Sequence, residues 1–247
     1  MLPYTVTGSG KTALLFLHYF GGSQRTWRHV VDTLSTEHRC ITADLPGFGD
    51  AAGIPGYSVA DMQDAVREVI ASLAPSPVVL IGHSMGGKVA MTLAADPPEN
   101  LQQVILVAPS PLLPEPMTEE QRATMTAANE TRDGAQQFVK NGALALSDED
   151  LQTGVDDVFR TNDEAWKAWP QHGTREDWSQ RITKFAVRTD LVVGEHDEAI
   201  PLAFQRKHTL PLVEGSGGTL TTIANAAHML PYEAPSELTA AIATAVI

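Results

Sequence analysis

The stretch Val78-Val-Leu-Ile-Gly-His-Ser-Met-Gly-Gly87 constrains this chain more than any other part of it. Four apolar β-formers run into Gly82-His83-Ser84-Met85-Gly86, and Lys88 to Ala95 follows as an alanine-rich run of helix formers. That order predicts a strand, a sharp turn and a helix. A turn so tight strains its middle residue and presses strand against helix, so the positions two before and two after Ser84 are glycine because side chains there would collide. The same geometry lifts Ser84 Oγ clear of the sheet and aims the first helical amides, beginning with Met85 N–H, at whatever Ser84 attacks. Ser84 is therefore a candidate nucleophile. Gly-x-Ser-x-Gly also occurs in ordinary turns; the strand before it, the helix after it and the further glycine at 87 set this one apart.

A chain of 247 residues can bury a sizeable core as one large α/β domain or two small ones. With 43% hydrophobic and 19% charged residues it is globular rather than disordered. A formal charge of −13 without any concentrated basic patch argues against nucleic acid and anionic membrane surfaces as partners. The single cysteine, Cys40, falls in a predicted strand, cannot form an internal disulfide, and reads as a small buried hydrophobe. No basic segment followed by an apolar core opens the sequence, and no apolar run nears the roughly 18 residues of a membrane span. A soluble cytoplasmic protein is the expectation, and a homodimer is compatible with the sequence without being required by it.

Pro3 to Gly8 and Ala13 to His18 read as strands joined by the turn Gly8-Ser-Gly10. Gly8-Ser-Gly-Lys-Thr12 imitates the end of a phosphate-binding loop, but the full pattern needs glycine where this chain has Thr5, and a strand follows instead of a helix. Nucleotide binding is not expected. Ser23 can cap a helix reaching Leu34, with Trp27, Val30, Val31 and Leu34 on one face. Arg39 to Ala43 reads as a strand ending in the turn-rich Asp44-Leu-Pro-Gly-Phe-Gly-Asp50. Ser58 is an N-cap candidate for a helix carrying Val59, Met62, Val66, Val69, Ile70 and Leu73 at helical spacing, stopped by Pro75-Ser-Pro77. After the Ser84 helix, Asp96-Pro-Pro98 breaks the run and Gln103 to Ala108 forms another strand. The rhythm is that of an α/β fold: a mostly parallel sheet with helices on both faces.

From Pro109 the rhythm breaks. Prolines at 109, 111, 114 and 116 make a stiff exit, and Met117 to about Arg181 reads as helical and polar. The expected organisation is a core of residues 1–110 and 183–247 with a helical cap, residues 111–182, inserted where open α/β sheets bind ligands. Trp166, Trp169 and Trp178 fall inside the cap, where indoles either line a pocket or fill the cap's own core. The parallel pattern resumes with a strand over Phe185 to Gly194, then Glu195-His-Asp-Glu-Ala-Ile-Pro201, a helix over Leu202 to Thr209, a last strand over Thr219 to Ile223, the loop Ala224 to Leu230, and a closing helix from about Pro235.

A serine hydroxyl is a weak nucleophile at neutral pH and needs a base held in the right tautomer by an acceptor. Among eight histidines, His228 follows the last strand at the end where Ser84 also sits. His18 and His83 lie at strand ends too, but His83 flanks Ser84 and points away from it in extended backbone. Asp197 stands just beyond the penultimate strand, with Glu195, Glu198 and Asp190 as rivals for the acid. Glu195-His-Asp-Glu198 is not expected to hold a metal, because neighbours in extended chain point in opposite directions.

The order Ser84, Asp197, His228, with His18-Tyr-Phe-Gly-Gly22, Asp44-Leu-Pro-Gly-Phe-Gly49, Gly82-His-Ser-Met-Gly86, Gly194-Glu-His-Asp197 and Ala227-His228, resembles the α/β-hydrolase superfamily over nearly the whole chain, in its small cap-bearing form. The resemblance implies a Ser84 nucleophile, an Asp197 orienting acid, a His228 base, and an oxyanion hole from the N–H groups of Phe20 and Met85, with no metal or cofactor. It implies hydrolysis of small, moderately apolar esters or lactones; relatives with this triad also cleave carbon–carbon bonds, act as cofactor-free perhydrolases, or serve as non-catalytic ligand receptors. The first loop departs from the family's usual His-Gly by carrying Tyr19, which adds a phenol near the pocket. Tyr19, His18, Trp166, Trp169 and Met229 are the expected substrate contacts, with Met117 and Met125 as further apolar candidates.

Overall fold

In the computed structural model, which describes residues 1–246, one sheet runs in the order β1 (Tyr4–Thr7), β3 (Arg39–Ala43), β2 (Ala13–Leu17), β4 (Val78–His83), β5 (Leu101–Val107), β6 (Arg188–Gly194) and β7 (Leu220–Ile223). β1 lies antiparallel on β3, and every other pairing is parallel. The turn at Gly8-Ser-Gly10 therefore does not make a hairpin, because β3 lies between the two strands it joins. Side chains alternate across the sheet as strand pleating requires. Leu15, Leu17, Leu80, Val104 and Leu106 face one core, while Leu14, Phe16, Val79, Ile81, Ile105 and Val107 face the other.

Helices cover both faces. α1 (Arg28–Leu34) and the closing α11 (Pro235–Ala245) bury Val30, Val31, Leu34, Leu238 and Ile242 on the second core. α2 (Val59–Ser72) and α3 (Met85–Ala95) fill the first with Val59, Met62, Val66, Val69 and Ile70, and with Val89, Met91 and Leu93. Ser58 caps α2 in a reciprocal box with Asp61. Ser23 also caps, but the helix it starts is a 3-10 turn, Gln24–Trp27, that only then passes into α1. β5 begins two residues before the expected Gln103, and Phe185 to Val187 stay outside β6 because the ladder with β5 opens at the pair Gln103 and Arg188.

Between β5 and β6 the chain forms α4 (Glu119–Ala127), α5 (Arg132–Asn141), α6 (Asp148–Arg160) and α7 (Asp163–Gln171), capped in turn by Thr118, Thr131, Ser147 and Asn162. The two ends of this insertion are bonded to each other: Glu115 N–H donates to Thr174 O at 2.8 Å and Trp178 N–H to Leu112 O at 2.8 Å. Polar contacts fix it to the core. Asp157 of α6, fully buried, accepts from Ser23 Oγ at 2.8 Å and pairs with Arg25 at 2.6 Å; Asp150 pairs with Arg28 at 2.6 Å; and Asn162 N–H donates to Gly47 O at 2.8 Å.

Lys88 is the most unusual of these attachments. It stands on α3 one turn from Ser84, fully buried, and its Nζ donates to Gly173 O at 3.1 Å and Glu176 O at 2.8 Å. Burial pushes its pKa down to about 8, against the pull of Glu115 and Glu176. Lys88→Ala would strip both carbonyls of this donor and leave a void, so a loss of about 2–4 kcal/mol is expected. A urea midpoint within error of wild type would show that the buried ammonium carries no such weight.

Candidate active site

All the parallel strands end at one edge, and the chain diverges there: from β2 it moves outward to β3, and then crosses back to β4 on the other side. The crevice beyond that switch point is where α/β sheets place ligands. Leu17 of β2 is level with Gly82 of β4, so the loop after β2 meets the turn after β4. Ser84 occupies that turn with φ 51° and ψ −112°, a left-handed conformation that non-glycine residues rarely adopt. A Cβ on Gly82 would stand 2.4 Å from Gly86 O, and one on Gly86 would stand 2.7 Å from His18 O, which is the collision expected from the sequence. The turn is tied down by Ser84 N–H to Val107 O and Ser110 N–H to Ser84 O, both at 3.0 Å.

Three strand ends bring their residues together here. Asp197, after β6, accepts His228 Nδ1–H on Oδ2 at 2.8 Å, and Ile200 N–H donates to its Oδ1 at 2.9 Å. An ionised carboxylate can only accept, so the proton of a neutral imidazole sits on Nδ1 and leaves Nε2 bare. That nitrogen lies 2.9 Å from Ser84 Oγ and accepts its hydroxyl proton. Burial pulls the His228 pKa down, but the Asp197 carboxylate outweighs it, with smaller help from Glu115 and Glu233, and holds the ring above its ordinary 6.5. Of the rival acids, Asp190 is paired with Arg188 at 2.9 Å and bonded to Gln103, back along β6, while Glu195 and Glu198 are exposed.

Gly86 N–H donates to His18 O at 3.2 Å, drawing the loop after β2 against the start of α3. Met85 is the first residue of α3, where backbone N–H groups lack an intrahelical acceptor. Phe20 N–H likewise donates to no other group among the described residues. Met85 N–H thus adjoins Ser84 in the chain, and Phe20 N–H stands two residues past the His18 carbonyl that Gly86 holds.

The sequence matches the alpha/beta hydrolase family over residues 14–242, insertion included. The chain belongs to the alpha/beta hydrolase family. Solved structures share its fold at low identity. An esterase from Exiguobacterium antarcticum superposes with a TM-score of 0.86 at 20% identity, over 98% of this chain and 93% of that one. A bromoperoxidase from Bacillus anthracis gives 0.85 at 19%, over 98% and 92%. An N-acyl homoserine lactone degrading enzyme gives 0.79 at 23%, over 99% and 96%.

Within this alpha/beta hydrolase, the expected substrate contacts fare unevenly. His18 is fully buried, its Nδ1–H donating to Tyr19 O at 2.7 Å and its Nε2 accepting Leu45 N–H at 3.0 Å, so neither nitrogen is left for a ligand. Tyr19 is a correction too: its phenol turns into the core, with ring centroids 5.4 Å from His83 and 6.4 Å from Tyr232, which removes the bulk from the loop that a glycine would otherwise spare. Trp166 is buried with its Nε1–H on the Met125 and Thr126 carbonyls, and its ring lies 4.5 Å from Phe20; Trp169 lies 6.4 Å from Phe20. Both tryptophans bear on the site through the Phe20 ring. Met229 is buried beside His228 and packs on Gly142.

Two contributors were not legible in the sequence. His83, passed over as a base because it points away from Ser84, donates from Nε2 to the His228 carbonyl at 2.9 Å and so supports that loop from below. Glu233, five residues past His228, has no pattern that marks it, yet its carboxylate accepts from Met229 N–H at 3.0 Å and from Leu144 N–H at 2.6 Å. Titration of the His228 ring by NMR is expected to give a pKa above 6.5, and Asp197→Asn is expected to lower it. A value unchanged by that substitution would contradict the pairing described above.

Proposed function

We propose that this alpha/beta hydrolase is a serine hydrolase that cleaves small, moderately apolar carboxylic esters or lactones through an acyl-serine intermediate. One observation carries the reading. A hydroxyl on a strained turn sits 2.9 Å from a bare imidazole nitrogen whose opposite N–H is held by a buried carboxylate. The strain at Ser84 is the kind stored where chemistry is done.

The steps follow from the geometry. Ser84 Oγ attacks the ester carbonyl carbon as its proton passes to His228 Nε2, and Asp197 stabilises the imidazolium. The N–H groups of Phe20 and Met85 stabilise the oxyanion of the tetrahedral intermediate. Collapse expels the alkoxide, which takes the proton from His228 and leaves as the alcohol. Water then gives a proton to His228, attacks the acyl-serine, and releases the carboxylic acid as Ser84 recovers its proton. The four-helix insertion, residues 111–182, is the cap in this reading. Phe20 of the loop after β2 joins Phe138, Trp166 and Trp169 of the insertion in one aromatic cluster, which supports an apolar group on the substrate.

Ser84→Ala or His228→Ala is expected to lower kcat on p-nitrophenyl acetate by about 10⁴ to 10⁶, and a fluorophosphonate is expected to label Ser84 in the wild type. Activity near wild type in Ser84→Ala, or no labelling, would defeat the proposal. Because the neutral ring is the base, kcat/KM is expected to fall as pH drops through the His228 pKa, with an acid limb centred above pH 6.5.

A further inference from the structure

His228 is carried on the loop Ala224 to Met229, between β7 and the short α10 (Leu230–Glu233), outside both the strand ladder and the helix. Its backbone is nevertheless fully engaged. The His228 and Met229 N–H groups donate to Gly142 O at 3.0 and 3.1 Å, and the His228 carbonyl accepts from His83. Gly142 begins the linker Gly142-Ala-Leu-Ala-Leu146 between α5 and α6, so the insertion touches the base loop directly. The Glu233 carboxylate closes the same junction. Oε2 accepts Met229 N–H at 3.0 Å and Ala227 N–H at 3.2 Å, while Oε1 accepts Leu144 N–H at 2.6 Å.

Even half-burying a carboxylate is unfavourable unless N–H groups surround it, and here the donors come from two segments more than eighty residues apart in sequence. Ala143 and Leu146 pack on the main core, but Leu144 between them is 57% exposed and has no apolar anchorage of its own. Without the carboxylate, water could satisfy those N–H groups, and the polar tie left between linker and loop would be the Gly142 carbonyl at the linker's first residue.

We propose that Glu233 is a positioning residue, fastening the insertion's linker Gly142–Leu146 to the loop that carries His228 and so fixing the imidazole over Ser84. The catalytic consequence rests on the serine-hydrolase reading; the fastening itself does not. The groups that face His228 are the carboxylates of Asp197, Glu115 and Glu233 and the His83 ring, 5.2 Å away. The Glu233 charge favours the protonated ring, so removing it moves the acid limb of kcat/KM to lower pH.

Glu233→Ala is expected to lower kcat on p-nitrophenyl acetate about 10- to 100-fold, with KM changed less. It is also expected to raise hydrogen exchange at Leu144, Ala227 and Met229 together. Glu233→Gln keeps a carbonyl oxygen for the Ala227 and Met229 N–H groups and is expected to recover most of kcat, while its acid limb shifts downward as in the alanine variant. A lower melting temperature in Glu233→Ala with kcat and acid limb unchanged would overturn the proposal and leave Glu233 a plain stabiliser. Should that variant not fold, exchange in the wild type decides: amides of Leu144 and Met229 opening independently would also overturn it. Failure of a fluorophosphonate to label Ser84 would refute the hydrolase reading alone, since amide exchange reports on the fastening regardless of activity.

Discussion

The strained backbone of Ser84 is the constraint on which the rest of this molecule turns. Holding a serine at φ 51° costs on the order of 1–3 kcal/mol, and the surrounding structure must fix it in place. It does so from three directions. Val107 at the end of β5 takes the Ser84 N–H, Ser110 and Lys88 donate to its carbonyl, and His18 at the end of β2 takes the Gly86 N–H. Each tie comes from a neighbouring strand end or the following helix, so the turn can exist only where this sheet order puts those ends side by side. The hydroxyl's position is thus a property of the whole sheet rather than of a pentapeptide.

The charge distribution around the site follows a second rule. Asp157, Asp150 and Lys88 are buried or nearly so, and each meets a partner across the boundary between core and insertion. Such contacts add little net stability compared with well-packed apolar groups, but removing one partner strands a buried charge. Polar attachment therefore helps to define where α6 and the exit at Gly173 to Glu176 sit, alongside the apolar packing of Val155 and Val158 in the main core. The aromatic cluster of Phe20, Trp166 and Trp169 spans the same boundary.

Much of this architecture was legible in the sequence, and the reasons are physical. The parallel strands are short, doubly buried apolar runs bounded by turn formers, and the Ser58 cap announces α2. Ser84, Asp197 and His228 could be picked out because each follows a strand at the same edge. What escaped depended on contacts between distant segments. Beyond α8 (Leu202–His208), α9 (Leu210–Gly215) and α10 are too short to leave a periodic pattern, and Pro211 and Pro231 occupy first-turn positions that proline tolerates. His18 and Tyr19 looked available for substrate until the backbone of Leu45 and the packing of Tyr232 claimed them. Glu233 and Lys88 resemble ordinary helix residues in sequence; only the folded chain shows whose N–H and carbonyl groups they meet.

The mutual bonding of the insertion's ends carries a consequence for how such a chain can diverge. Because Glu115 is joined to Thr174 and Leu112 to Trp178, the roughly sixty residues between leave and re-enter the core through one gate whose width is fixed. Helices can be lengthened or replaced inside that gate without changing the spacing of β5 and β6, provided the linker Gly142–Leu146 stays seated against the loop that carries His228. Length and surface can then vary over most of the segment while the sheet edge it returns to stays the same.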